Sequence, residues 1–269
     1  MIQMERLDKV PGTPYEIIQD KKLFSYGVDA ILLSYFAKPK RIVMDLGTGT
    51  GVIPLRLADH PKIKKIYGVE IQTNVAEMAE KSVYLNKLEN KIQILNEDIK
   101  ELPGKFPKAS IDTIITNPPY MKPGAAIVNP EENHAISRHE LACTLEDIMR
   151  VSSWLLSPLG KLYMVHRPNR LVDVLYIMRT HGIEPKLMTW VYPKPGKPAN
   201  LFLIEGVKGG RMDFKYGDPI TVYGEDGKYT DQIYNIYGRR RSIWNREYYM
   251  FVRPLSGTLT ILRSEYSIF

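Results

Sequence analysis

The sequence predicts an α/β protein: a doubly wound, mostly parallel sheet of seven strands whose last strand is antiparallel. Three observations carry this. Short apolar runs alternate with segments of helical spacing from residue 41 to residue 182, the pattern of parallel strands joined by right-handed helical crossovers. A glycine cluster stands directly after the first apolar run, where a strand of such a sheet turns into its helix. The final two runs are separated by PKPGKP alone, too short for a helical crossover, so they pair antiparallel.

RIVMDL (41–46) is the first strand; it stops at the glycines, and VIPLRLADH follows with helical spacing. KIYGVEI (65–71) is the second strand, and VAEMAEKSVYLNKL (75–88) an amphipathic helix of strong helix formers. KIQILNEDI (91–99) is the third strand and IDTIITNPPY (111–120) the fourth, broken by its prolines. MKPGAAIVNPEENHAISRHE (121–140) has no apolar periodicity and reads as a long loop, of a length that inside a compact domain is functional or disordered. LACTLEDIMRVSSWLL (141–156) is helical, GKLYMVHRP (160–168) is the fifth strand, and RLVDVLYIMRTHG (170–182) is a helix closed by glycine. KLMTWVYP (186–193) and ANLFLIEGVK (199–208) form the strand pair. Ahead of the first strand, SYGVDAILLS (25–34) begins a helix for which Asp29 is a candidate N-cap, with Gly27 a candidate for close backbone approach to a ligand. Beyond residue 209 the pattern weakens into a stretch rich in glycine, aspartate and tyrosine.

With 269 residues, 44% apolar and 25% charged, the chain is an ordinary globular protein of one large domain, or one with an appendage. The 37 basic against 30 acidic residues give a formal +7, which favours a polyanionic partner such as nucleic acid. Cys143 is the lone cysteine, which excludes an internal disulfide and a thiolate metal cluster; its ordinary reading is a small buried residue, and no metal site is expected. The first 22 residues lack the apolar core of a signal peptide, and no apolar run is long enough to span a bilayer, so a cytoplasmic protein with no membrane partner is expected.

The chemistry concentrates at strand ends. Gly47, Gly49 and Gly51 let backbone approach a ligand closely. Asp45, two residues before the first of them, would repel the pyrophosphate of a dinucleotide but suits a ligand carrying an ammonium and a sulfonium, which S-adenosylmethionine has. Glu70 closes the second strand, where a carboxylate accepts from two ribose hydroxyls. Asp98 follows the third strand, as an acceptor for the adenine amine of that cofactor or as a helix N-cap.

TNPPYM (116–121) ends the fourth strand. The lone pair of an exocyclic adenine amine is delocalised into the ring. The amide oxygen of Asn117 and the carbonyl of Pro118 would accept its two hydrogens and draw the nitrogen toward tetrahedral geometry. Pro119 stiffens the turn, and Tyr120 offers a flat face to an extruded base.

DLGTGTG (45–51), Glu70, Asp98 and NPPY (117–120) together resemble the class I S-adenosylmethionine-dependent methyltransferases, a Rossmann-like fold. More narrowly, with SYGVDAILLS, ISRHE (136–140) and the hairpin PKPGKPANLFLIEGVKGG (193–210), the chain resembles the bacterial enzymes that methylate N6 of adenine 37, beside the anticodon of a valine tRNA. The resemblance implies S-adenosylmethionine held by Gly27, Asp45, Gly47, Gly49, Glu70, Asp98 and Asn117. It places Asn117, Pro118 and Tyr120 over the target base, with methyl transfer direct and free of metal. Pro119, Tyr120, Arg138, Lys194 and Lys197 are the candidate contacts to tRNA. Arg138 and His139 fall in the family-like stretch without an assigned chemical role. The basic residues Lys186, Lys194, Lys197, Lys208 and Arg211, against Glu205, suit phosphate contacts or edge-strand protection alike. The resemblance covers 1–238 as one methyltransferase domain with a short N-terminal lead. It leaves 239–269 as a basic, aromatic extension with only a faint likeness to the opening of a GIY-YIG nuclease module. NPPY also serves enzymes that methylate a release-factor glutamine amide, but those carry a helical domain ahead of the catalytic half, and only some 40 residues precede RIVMDL here. A DNA adenine methyltransferase would need a target-recognition region, and an inactive RNA-binding module would be expected to have lost Asn117 or the acidic strand ends.

Overall fold

The structure, a computed structural model, describes residues 5–20, 26–118 and 143–238. The alternation read from the sequence is realised: β3 (Arg41–Leu46), α2 (Val52–Leu57), β4 (Ile63–Glu70), α3 (Thr73–Leu85), β5 (Ile92–Asn96), α4 (Leu102–Lys105), β6 (Ile111–Thr116), α5 (Leu145–Leu155), β7 (Leu156–His166), α6 (Leu171–Thr180), β8 (Ile183–Tyr192) and β9 (Leu201–Lys208). Ahead of them stand β1 (Arg6–Lys9), β2 (Glu16–Gln19) and α1 (Val28–Phe36); behind them come β10 (Lys215–Tyr216), β11 (Ile220–Thr221) and α7 (Asp231–Ile236).

The central sheet runs β10-β8-β9-β7-β6-β3-β4-β5, with β11 also on β8. The seven expected strands are all in it, and β9 is antiparallel to both β7 and β8. Among the described residues the sheet has nine strands, because two two-residue strands from the glycine-rich stretch add parallel to β8. Strands buried on both faces explain the near-continuous apolar runs. One face is covered by α1, α2, α3 and α7, packed through residues such as Ile31, Leu55, Ala79 and Ile233. The other is covered by α4, α5 and α6 through Leu102, Met149 and Met178.

Two expectations change. Asp29 is not the N-cap of α1: Gly27 is, with no side-chain cap, and Asp29 sits in the first turn, where its charge faces the helix dipole favourably. Cys143 is half-buried rather than buried, and partial burial still pushes its thiol up to about 12. The N-terminal lead forms a hairpin, β1–β2, locked onto α3: Ser82 Oγ accepts from Ile18 N at 2.9 Å, and Asn86 bonds both the N–H and the carbonyl of Glu16. Arg56, at the end of α2, ties four elements together by donating to Ser34 Oγ at 2.7 Å, to the Ile236 carbonyl at 3.0 Å and to the Pro11 carbonyl.

Candidate active site

Every parallel strand delivers its carboxyl end to one edge, and the predicted strand-end residues among the described ones gather there. β3 ends beside β4 and β6, pairing Leu46 with Val69 and with Thr116, so Gly47 and Asn117 leave neighbouring strands side by side. The Thr116 hydroxyl donates to the Leu46 carbonyl at 3.0 Å and closes that junction.

The glycine loop is built from positive φ: +75° at Gly47, +56° at Gly49 and +88° at Gly51, a region that side-chain-bearing residues rarely adopt. Gly47 N and Thr48 N both donate to the Val69 carbonyl at 2.9 Å, anchoring the loop to β4. A Cβ on Gly47 would meet nothing within 4 Å, so the loop's first residue borders open space.

Asp45 is fully buried. One carboxylate oxygen accepts from the Thr48 hydroxyl at 2.6 Å; the other, Oδ1, has no partner. Burial pushes its pKa up to about 7, opposed by the Thr48 bond and reinforced by the charge of Glu70. Glu70, also buried, accepts from Gly49 N at 3.1 Å and Gln72 N at 3.0 Å, so the carboxylate is aimed and held at the loop. Asp98 takes its capping role: it accepts from Lys100 N at 2.9 Å at the head of a single 3-10 turn, still on the carboxyl edge after β5. Gly27 has ordinary extended backbone, and its place at the head of α1 puts it on the same edge. The buried acceptor on Asp45, the open space at Gly47 and the held carboxylate of Glu70 fit a ligand with an ammonium group and vicinal hydroxyls, as S-adenosylmethionine has.

Asn117 is half-buried and Pro118 buried directly after β6, while Pro119, Tyr120, Arg138 and His139 lie outside the described residues. Residues missed by sequence reasoning join them. His166 ends β7, one strand over from β6; burial and then the charge of Arg170 push its pKa down to about 4, so its ring is neutral near pH 7. Thr48 and Thr116 hold Asp45 and the strand junction, and their only signal was their place inside the two motifs.

The basic stretch sorts itself. Lys186 is occupied by the Arg211 carbonyl at 2.9 Å and Lys208 by the Ser153 carbonyl at 2.8 Å, while Glu205 pairs with Lys161 at 2.6 Å. Lys194 and Lys197 are exposed and make no ion pair with the described residues. Because β8 runs parallel to β7, their loop projects from the same edge as Gly47 and Asn117. The outer side of β8 is covered by β10 and β11, so these loop lysines do not guard an open strand edge.

The family model for the methyltransferase small domain matches residues 15–180. The chain belongs to that family. The match spans the methyltransferase motifs from the glycine loop to NPPY. The tRNA1(Val) (adenine(37)-N6)-methyltransferase of Aeromonas salmonicida is 26% identical over 221 residues, covering 81% of this chain and 90% of the relative. The protein of that name from Porphyromonas gingivalis is 29% identical over 199 residues, covering 71% of this chain and 77% of the relative. The crystal structure of a predicted O-methyltransferase from Agrobacterium tumefaciens superposes with a TM-score of 0.63 at 22% identity, over 79% of this chain and 97% of that one, and shows the shared fold. No described helix is long and apolar enough to cross a membrane.

Proposed function

We propose that this methyltransferase acts on the exocyclic N6 amine of adenine in tRNA, at adenine 37 of a valine tRNA. The observation that carries the proposal is the placement of Asn117 and Pro118 beside the glycine loop, on adjoining strand ends. The names of the relatives at 26 and 29% identity support the substrate.

S-adenosylmethionine, when bound, supplies a methyl group on a sulfonium. Gly27, Asp45, Gly47, Gly49, Glu70, Asp98 and Asn117 would hold it, Asp45 toward the ammonium and Glu70 toward the ribose. The Asn117 amide oxygen and the Pro118 carbonyl accept the two amine hydrogens and release the nitrogen lone pair from the ring. No strong base is needed before transfer, because the methylated nitrogen is acidic and loses its proton to water. Pro119 and Tyr120 complete the cradle for the base, and Arg138, Lys194 and Lys197 take phosphates. Residues 1–238 form the catalytic unit, working in the cytoplasm, with 239–269 appended.

Incubation with methyl-labelled S-adenosylmethionine and separate pools of tRNA, DNA and release factor tests this. Label in tRNA as N6-methyladenine is expected; label confined to release factor would instead make the amine a glutamine amide, and label confined to DNA would also overturn the reading. Asn117→Ala is expected to abolish transfer while leaving S-adenosylhomocysteine binding within a few-fold of wild type. Full activity in that variant would remove the mechanism.

A further inference from the structure

The glycine-rich stretch after β9, unreadable in the sequence, forms a row of tyrosines. Tyr223 stacks on Tyr229 with ring centroids 5.1 Å apart and planes 16° from parallel. Tyr229 in turn lies 5.5 Å from Tyr237 and 6.2 Å from Tyr234. The row starts next to the lysine loop, where Tyr223 N donates to the Pro193 carbonyl at 3.0 Å. It ends at a hollow of about 400 Å³ lined by Tyr26, Tyr229, Tyr234 and Tyr237 with Arg6 and Lys9. The lysine-loop end of the row follows the carboxyl end of β8, and at the hollow Tyr26 directly precedes Gly27, the N-cap of α1.

We propose that this tyrosine row and its hollow are a second nucleobase subsite, which stacks an unpaired RNA base neighbouring the one to be methylated. The inference rests on the tRNA reading above and extends it. A base drawn out of a loop leaves neighbours that have lost its stacking, at a cost of a few kcal/mol. An aromatic platform on the enzyme restores that contact, and it serves any base because every base has a flat face. Tyrosine is well matched to such a platform, since a rigid ring with a polar tip tolerates an open, wet hollow where phenylalanine or leucine would be costly to expose. The hollow is of the size that takes a small ligand. Its cations are placed for phosphate. Lys9, with a side chain 74% exposed, is held at 2.9 Å by Glu16, and Arg6 by Asp8 at 2.5 Å, surface pairs that a phosphate can replace at little cost. Lys194 stands at the other end of the row. Asp8, the acid lining the hollow, is already neutralised by Arg6 and also accepts from Gln19 at 2.6 Å.

Tyr229 and Tyr237 pack on the core, but Tyr223 is exposed and Tyr234 only half-buried, so the latter two serve as probes. The test uses the full chain and a 17-nucleotide RNA stem-loop with the anticodon-arm sequence of a valine tRNA, followed by fluorescence anisotropy. Tyr223→Leu and Tyr234→Leu are each expected to weaken RNA binding by roughly tenfold, the effect of losing one stacked base. Tyr223→Phe and Tyr234→Phe, which keep the ring, should stay within about twofold, and S-adenosylhomocysteine binding should be unchanged in all four. A 4-thiouridine placed in the loop should photocrosslink to this row. Wild-type RNA affinity in both leucine variants, with crosslinks elsewhere, would overturn the subsite while leaving tRNA methylation intact. A wild-type protein that neither binds the stem-loop nor methylates tRNA would overturn the subsite together with the substrate reading. If Tyr234→Leu does not fold, the more exposed Tyr223→Leu decides.

Discussion

The proton on Asp45 couples folding, pH and ligand binding. Its carboxyl is raised from the ordinary 3.8 to about 7, chiefly by burial. At about 1.4 kcal/mol per pH unit, that corresponds to roughly 4 kcal/mol between the two protonation states. The sign follows from proton counts: between the unfolded and folded pKa the folded protein binds more protons, so its stability falls as pH rises. The contribution is fully present below about pH 4 and lost by about pH 7 to 8. Asp45→Asn, neutral throughout, should therefore match wild type at about pH 4 and exceed it near pH 8 by up to roughly 4 kcal/mol in urea unfolding. A cationic ligand reverses the logic. An ammonium near Oδ1 favours the carboxylate, so S-adenosylhomocysteine binding at about pH 6 should release close to one proton and weaken about tenfold per pH unit below about 7. Titration calorimetry in two buffers of different ionisation enthalpy reads that proton directly. Stability curves for wild type and Asp45→Asn that stay parallel from about pH 5 to about pH 8, or binding without proton release, would refute the assignment.

Three other perturbations follow from the geometry. Gly51→Ala places a side chain at φ +88° and should cost about 1–2 kcal/mol of stability in urea unfolding, with weakened S-adenosylhomocysteine binding. Arg56→Leu leaves the Pro11 and Ile236 carbonyls without their donor and should lower stability by about 2–3 kcal/mol, loosening β1–β2 and α7 together in hydrogen exchange. Replacing Lys194 and Lys197 by glutamine should weaken tRNA binding and flatten its logarithmic salt dependence by between about one and two, with little change in kcat at saturating tRNA.

The catalytic half was legible because strand ends in a parallel sheet are written locally: apolar run, then glycine or proline, then helical spacing. The same locality located Asp45, Glu70 and Asn117 on one edge. It failed where long-range contacts decide. The hairpin β1–β2 has four residues per strand and exists by docking on Ser82 and Asn86. β10 and β11 are held by β8, and α7 by α1 and the core beneath it, so neither carries a period of its own. Asp98 shows the other limit: its type and place suited two roles, and capping is the one visible in the fold.

The position of β9 between β7 and β8 also sets an order of assembly. Each partner of β8 among the described residues, β9, β10 and β11, lies later in the chain. A nascent polypeptide that has reached residue 192 can complete the strands around the glycine loop and Asn117. It still presents the outer side of β7 and a solitary β8, both open to pairing with other chains. The lysine loop and the tyrosine row take their places only when this second half closes. The glycine loop and the base-holding strand end would thus be folded first and the outer RNA contacts last, so interruption of synthesis between residues 193 and 200 should yield a protein that aggregates through β7.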